Sequence, residues 1–407
     1  MDTHHLLRRL FHTRAGQSSY HTVLAILRDL PLPSTVLGPV KGSHSSLRGW
    51  LENPQNSSLV NGNTGNLWIV DPGPEETTIS PPPTLAVPRV PKNLTGNEIV
   101  PPTQLYLGQL IGGRIATRRL EVISLDDHVF DDLFFHVPGN PNPAQSLKLP
   151  LLPRLKRRDG IYATICTTRA GNYYHWINDC LTRLWILDVM GVHDYRLILP
   201  KKRIAFQQES LALLGFTAER LARFGHEHWS VERLLVPSLT NGWYRHSSPA
   251  ACRWLREKLT PAAGPSGSPV PKRVYISRAL ASKRRLLNED EIVPFLRRFG
   301  FVSVQTETMT FQEQIHLFRE AEAVVAPHGA GLANIVFMKE GALVLEMVHY
   351  RRTKPTFYSL ANARGLTYCI LTDAPDNPDE ERTDRPPDID FTIPLERVSD
   401  ALRSLGL

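Results

Sequence analysis

From Gly160 onward the chain alternates between short apolar runs and longer segments whose apolar residues recur every three or four positions. Short apolar runs bounded by turn formers predict buried strands, and the helical recurrence predicts helices packed by one face. On that basis IYATIC (161–166) is a strand, Tyr173 to Val189 is a helix closed by Gly191, and YRLILP (195–200) is a strand. A helix from Ile204 to Leu214, the strand SVERLLVP (230–237) and a helix from Ala250 to Leu259 complete a first series. The series then restarts. RVYIS (273–277) and FVSVQT (301–306) are strands flanking a helix from Asn288 to Phe299, with Asn288 as N-cap, Glu291 in the capping-box position and Pro294 expected to kink or delay it. Thr310 and Glu313 form a second capping box, opening a helix whose Phe311, Ile315 and Phe318 share a face. AVVAP (323–327), the loop HGAGLAN (328–334) with a helix behind it, and the strand ALVLEMV (342–348) follow. Such alternation predicts a layered α/β architecture.

The first part of the chain reads differently. A helix is expected near Tyr20 to Arg28, and Asp71 to Pro102 is too rich in proline for helix or central strand. Alternating runs between Leu105 and Val137, broken by Gly112-Gly113, predict β-hairpins. The predicted organisation is an N-terminal extension with a proline-rich linker (1–104), a first α/β domain (105–260), a flexible linker PAAGPSGSPVP (261–271), a second α/β domain (272–395) and a C-terminal helix (396–407).

Composition narrows the class. The chain has 407 residues, 42% hydrophobic and 21% charged, which suits a globular protein and excludes fibrous and disordered ones. The net charge of +7 is dispersed rather than gathered on one element, so no nucleic-acid partner is expected. A modest basic excess is compatible with peripheral contact to an anionic membrane surface. Cys166, Cys180, Cys252 and Cys369 have no metal-ligand spacing and suit a reducing compartment. The apolar patch in MDTHHLLRRLFHTRAG is too short for a signal-peptide core, and a cytoplasmic protein is expected.

Three constellations carry candidate chemistry. In NYYHWINDCLTRLWIL, Ile177, Leu181 and Leu184 form an apolar stripe, and His175, Asp179 and Thr182 fall opposite it. His175 and Asp179, four apart, can act together as a general base on a hydroxyl. After VYIS, Arg278 stands at a strand end, with Lys283, Arg284 and Arg285 on the next loop and Asn288 beyond it. Guanidinium groups bind phosphate oxygens bidentately, so this loop can neutralise a diphosphate. In HGAGLAN, Gly329 and Gly331 permit close backbone approach to a ligand, Asn334 can hydrogen-bond it, and Glu346 on the next strand can accept from a ribose hydroxyl. Asp388-Ile389-Asp390 is a DxD sequence, a pattern that elsewhere holds a divalent cation, but it lies outside the α/β units and no metal site is expected there.

Together these residues resemble glycosyltransferase family 61. The resemblance runs through His175-Trp176-Ile177-Asn178-Asp179, Ile276-Ser277-Arg278, Arg284 with Asn288-Glu289, Gly300-Phe301, Glu313-Gln314 with Phe318, and Pro327-His328-Gly329-Ala330-Gly331-Leu332 with Asn334 and Glu346. It implies a GT-B-like fold, two Rossmann-like domains facing across a crevice. It also implies inversion at the anomeric carbon and a nucleotide-sugar donor, UDP-linked, held by the C-terminal half. The donor would meet Arg278, Arg284, Asn288, His328, Gly329, Ala330, Gly331, Asn334 and Glu346, with His175 or Asp179 as base. No cofactor and no metal are expected. The acceptor would be a glycan, capsular-type polysaccharide precursor or lipid-linked sugar. Two other classes remain open at this point: a non-catalytic nucleotide-sugar-binding protein, and a metal-dependent hydrolase, for which clustered ligands are lacking.

Overall fold

The computed structural model describes residues 40–57, 65–71, 105–133, 144–149, 151–241, 247–267, 269–373 and 388–407. The helix expected near Tyr20 and almost all of the proline-rich segment lie outside them. Among the described residues the chain forms two sheets. The first has ten strands: β1 Gly42–His44, β2 Gly65–Val70, β3 Leu105–Ile111, β4 Arg114–Ala116, β5 Glu121–Ile123, β6 His128–Phe130, β7 Leu155–Thr164, β8 Arg196–Pro200, β9 Leu221–Phe224 and β10 His228–Pro237. Their order is β1-β6-β5-β4-β10-β7-β8-β9, with β3 on β10 and β2 outside β3.

This sheet is mixed. β7, β8 and β9 run parallel, and β10 returns parallel to β7. Central strands covered on both faces read as continuous apolar runs, as Leu197, Ile198 and Leu199 of β8 do. Of the hairpins expected between Leu105 and Val137, β4–β5 and β5–β6 form as antiparallel pairs, but the break at Gly112-Gly113 does not make one. β3 and β4 both pair with β10, at Arg233–Pro237 and His228–Ser230, so they form one bent strand broken at Gly112-Gly113. Gly112 has φ +66°, and a Cβ on Gly113 would stand 2.7 Å from Leu110 Cβ and 3.0 Å from Leu234 Cβ. The glycine pair is therefore a bulge inside a strand, not a turn between two. β1 and β2 come from the segment expected to be an extension, yet they complete this sheet.

The second sheet is wholly parallel: β11 Arg273–Ile276, β12 Val302–Val304, β13 Ala323–Pro327, β14 Leu343–Val348 and β15 Thr367–Thr372, in the order β12-β11-β13-β14-β15. That is a doubly wound order, and the winding reverses between β11 and β13. The helices Glu289–Arg297 and Phe311–Glu320 connect the first three strands, and Thr310 with Glu313 forms the expected capping box. Helix Thr356–Ala363 and strand β15 carry no clear period in the sequence and appear only in the structure. The helix behind HGAGLAN is a 3-10 helix, Ala330–Phe337. Helix Leu395–Ser404 packs under the far face of this sheet with Val398, Ala401 and Leu402 buried.

One hydrophobic core runs from the first sheet to the near face of the second, including Leu181, Leu255, Ile276, Phe311 and Val336. The segment expected as a flexible linker begins inside helix Pro249–Ala262. Ala263 O accepts from His316 Nε2 at 2.8 Å and from Gln312 Nε2 at 2.7 Å, so the chain is pinned where it leaves that helix. No helix among the described residues is long and apolar enough to cross a membrane.

Candidate active site

The reversal between β11 and β13 opens a crevice at their carboxyl ends, where open α/β sheets bind ligands. A cavity of about 430 Å³ lies there. Its floor is Ile276, Ser277 and Arg278 after β11 and Gly329, Ala330 and Gly331 after β13; Tyr173, Phe206 and Glu209 close it from the first sheet's helices.

Arg278 is held rather than dangling. Its Nε donates to Arg284 O at 3.1 Å and its Nη2 to Lys283 O at 2.9 Å. Those bonds lay the guanidinium across Gly329, where a Cβ would stand 2.1 Å from Nη1. Gly329 has φ −169°, extended backbone open to any residue, so the requirement here is room and not an unusual angle. Gly331 is likewise crowded, with Thr306 Oγ1 2.7 Å from where its Cβ would be.

His328, between the cavity residues Pro327 and Gly329, hydrogen-bonds through Nδ1 to Glu346 Oε1, and Tyr368 donates its hydroxyl to Glu346 Oε2. Burial, and then the adjacent Glu346 charge, hold the Tyr368 phenol well above its ordinary pKa, so it stays a donor. Glu346 is 1% exposed with both oxygens occupied. It sits behind His328 and orients it, and does not reach the cavity as a ribose acceptor would have to.

The second dyad comes from the first sheet's helix. Tyr173–His175 is α-helical, but Trp176–Leu181 is a π-turn, and regular helix resumes at Arg183–Val189. All six residues of the π-turn are buried, and so is Thr182, so the face expected opposite the apolar stripe is packed as well. His175 Nδ1 lies 2.5 Å from Asp179 Oδ2, and Asp179 Oδ1 accepts from Asn241 Nδ2 at 2.7 Å. A buried carboxylate on Nδ1 fixes the tautomer and aims Nε2 as the proton acceptor. Two rings join the dyads: Tyr174 meets His175 at 5.3 Å and Phe357 at 5.4 Å, and Phe357 meets His328 at 5.2 Å between centroids.

Other expected site residues are placed differently. Asn334 is fully buried; its Oδ1 accepts from Tyr173 at 2.7 Å and its Nδ2 donates to Gln314 Oε1 at 2.7 Å, tying the two sheets together rather than facing a ligand. Asn288 makes no side-chain cap; it pairs with the backbone of Ile393 through Nδ2–O at 2.8 Å and Oδ1–N at 3.3 Å. Arg284, at φ +59°, pairs with Asp388 at 3.4 Å beside the cleft rather than lining it. The DxD sequence is not remote from the α/β units: Lys283 also pairs with Asp388, and Arg285 holds Asp390 at 2.7 Å. These carboxylates are neutralised by the basic loop.

Tyr368, Asn241 and Tyr173 were not marked by the sequence. Asn241 follows β10 in an ordinary turn, and Tyr368 lies on a strand without a period; only the fold brings them to Asp179 and Glu346.

Residues 173–345, from the first residue of the helix bearing His175 to the strand bearing Glu346, match the family model described as Glycosyltransferase 61. Over that stretch the chain is similar to glycosyltransferase family 61. Family 61 resemblance in this chain thus covers both dyads' helix and loop but ends one residue short of Glu346. The EGF domain-specific O-linked N-acetylglucosamine transferase of Drosophila melanogaster is 32% identical over 98 residues, 23% of this chain and 18% of that protein. The Gallus gallus protein of the same name is 27% identical over 101 residues, 24% of this chain and 19% of that one. The human protein O-linked-mannose beta-1,4-N-acetylglucosaminyltransferase 2 is 26% identical over 176 residues, 38% of this chain and 28% of that protein. The matched part spans less than a third of each of these relatives.

Proposed function

We propose that this chain is an inverting glycosyltransferase of GT-B-like organisation that needs no metal. It would move a sugar from a nucleotide-sugar donor, UDP-linked and of the N-acetylglucosamine type, to a hydroxyl of a glycan or polysaccharide precursor. The observation carrying this reading is the crevice with the two dyads: Arg278 and the Gly329–Gly331 loop on its floor belong to one sheet, and the His175–Asp179 dyad of the other is joined to His328 through the Tyr174 and Phe357 rings. The relatives' names support the sugar.

In this reading His175 Nε2 takes the acceptor proton as the acceptor oxygen attacks the anomeric carbon from the face opposite the diphosphate. The bond from that carbon to the diphosphate oxygen breaks, and the nucleoside diphosphate leaves with the electron pair. Arg278, the loop N–H groups and His328 would receive the charge in preorganised positions, an arrangement that stabilises a developing anion without reorganisation. Ion-paired Asp388 and Asp390 favour a metal-free course.

The test is to incubate the purified chain with UDP-N-acetylglucosamine and a panel of hydroxyl acceptors, with and without EDTA, and to determine product anomeric configuration by NMR. Inverted product formed equally in EDTA and by Asp388→Ala is expected. A retained configuration, or absolute dependence on Mn²⁺ lost in Asp388→Ala, overturns the reading.

A further inference from the structure

Far along the first sheet from the crevice, three side chains converge that the transfer reaction does not use. His44 closes β1, His128 opens β6, and Asp126 stands in the turn before β6; β1 and β6 pair in parallel. His44 Nε2 lies 2.8 Å from Asp126 Oδ2, and His128 Nδ1 lies 3.5 Å from that same oxygen. The three atoms all fall within 4.8 Å of one another, the one such group of three potential ligands among the described residues.

Two of the three edges between these atoms are near those of a metal centre. Two ligands on a tetrahedral ion with bonds of about 2.1 Å stand roughly 3.4 Å apart. The 3.5 Å edge already has that length, and the 2.8 Å edge has to open modestly. Ser124 donates to Asp126 Oδ1, which leaves Oδ2 turned toward both imidazoles. The two rings are 4.5 Å apart and inclined by 32°, and all three side chains are about a quarter exposed, so an ion could enter and keep a water. Two imidazole nitrogens and one carboxylate oxygen favour Zn²⁺ over Mg²⁺ or Ca²⁺, which prefer all-oxygen sites.

We propose that His44, Asp126 and His128 bind a structural Zn²⁺ that fastens the N-terminal strand to the sheet edge. Binding places the ion on His44 Nε2, Asp126 Oδ2 and His128 Nδ1, with water as fourth ligand. His128 then carries its proton on Nε2, and its 2.8 Å hydrogen bond to Asp126 O is given up. The benefit is topological. β1 has three residues, and the ion would link positions 82 apart in sequence, where closure of the intervening chain is otherwise opposed by its entropy. An ion that binds the folded chain and not the unfolded one raises the unfolding midpoint.

The experiment is equilibrium dialysis of the EDTA-stripped full chain against Zn²⁺, with parallel thermal melts, for wild type, Asp126→Asn and His128→Gln. Other histidines, His4 and His5 among them, can take up Zn²⁺ independently, so the readout is the equivalent lost on substitution. Each variant is expected to lose one equivalent, its affinity falling by more than the 10- to 100-fold typical of an outer-shell change, roughly. Zn²⁺ should raise the midpoint of wild type and not of the variants, and Mg²⁺ should do neither. His44→Gln, on the short edge strand, repeats the measurement if either variant folds poorly. No saturable Zn²⁺ uptake by wild type, or uptake undiminished in the variants, overturns the proposal.

Discussion

Arg278 and Gly329 share one volume, and that fixes what each can tolerate. A methyl on Gly329 would collide with the guanidinium rather than with backbone, so the side chain would swing off its bonds to Lys283 O and Arg284 O while the fold persisted. Gly329→Ala should therefore weaken nucleoside-diphosphate binding about as much as Arg278→Ala, roughly 10- to 100-fold for a lost charge-assisted contact. Because both substitutions remove the same interaction, the double variant should be no weaker than Arg278→Ala alone. Calorimetry on the three variants decides this, and additive losses would separate the two residues. At the other dyad, Asp179→Asn should lower kcat by about 10²–10⁴ while donor affinity is retained, because the amide no longer holds His175 in the productive tautomer. Paired steady-state kinetics and donor titration check it. At this scale the sequence named His175, Asp179, Arg278, Gly329 and His328, whose residue types declare a chemistry. It could not rank His175 over Asp179, since burial of a carboxylate behind an imidazole is a fact of three dimensions. For the same reason Glu346 and Asn334 read as ligand contacts when both are interior.

Among elements, the junction of the helix opening at Tyr173 with the 3-10 helix Ala330–Phe337 is the most consequential. Tyr173, Asn334 and Gln314 make a hydrogen-bonded chain between the two sheets, with Asn334 at its buried centre. Tyr173→Phe leaves Asn334 Oδ1 buried with one donor missing, which should cost about 1–3 kcal/mol. Asn334→Ala strands both partners and should cost at least as much; urea unfolding with unchanged slope is the measurement, and a loss below the error of the method would argue against the tie. Strong periods made most elements legible: the capping box at Thr310, the strand AVVAP and the helix ending in Leu213 fall where expected. The π-turn was not legible, because apolar spacing fixes which side of a helix is buried and not how many residues complete a turn. The glycine pair at Gly112 misled for a related reason. A bulge and a hairpin call for the same residue, and only β10 running past both flanks tells them apart.

The molecule as a whole carries a pH dependence from a buried histidine remote from the reaction. His228 is 1% exposed, and desolvation followed by the nearby Arg114 charge lowers its pKa from 6.5 to about 4. Between those values the unfolded chain binds a proton that the folded chain refuses, so stability is full above pH 6.5 and falls as pH drops toward 4. The loss is of order 3 kcal/mol at most, and His228→Gln should flatten that part of the curve in urea midpoints taken at pH 7 and pH 4.5. An identical slope in variant and wild type would place the sensitivity elsewhere. Pinning of the segment around Ala263 reaches further, into the time course of ligand encounter. Proteins whose two halves rock about a loose strap must find their closed form before or after each binding event, and a slow isomerisation then limits the observed rate. Here the strap is clamped by His316 and Gln312, Glu209 accepts from Phe311 N at 2.6 Å, and Arg256 donates to Phe337 O at 3.2 Å. Stopped-flow association of a nucleoside diphosphate should accordingly be a single exponential whose rate climbs linearly with concentration, without the plateau that a hinge imposes.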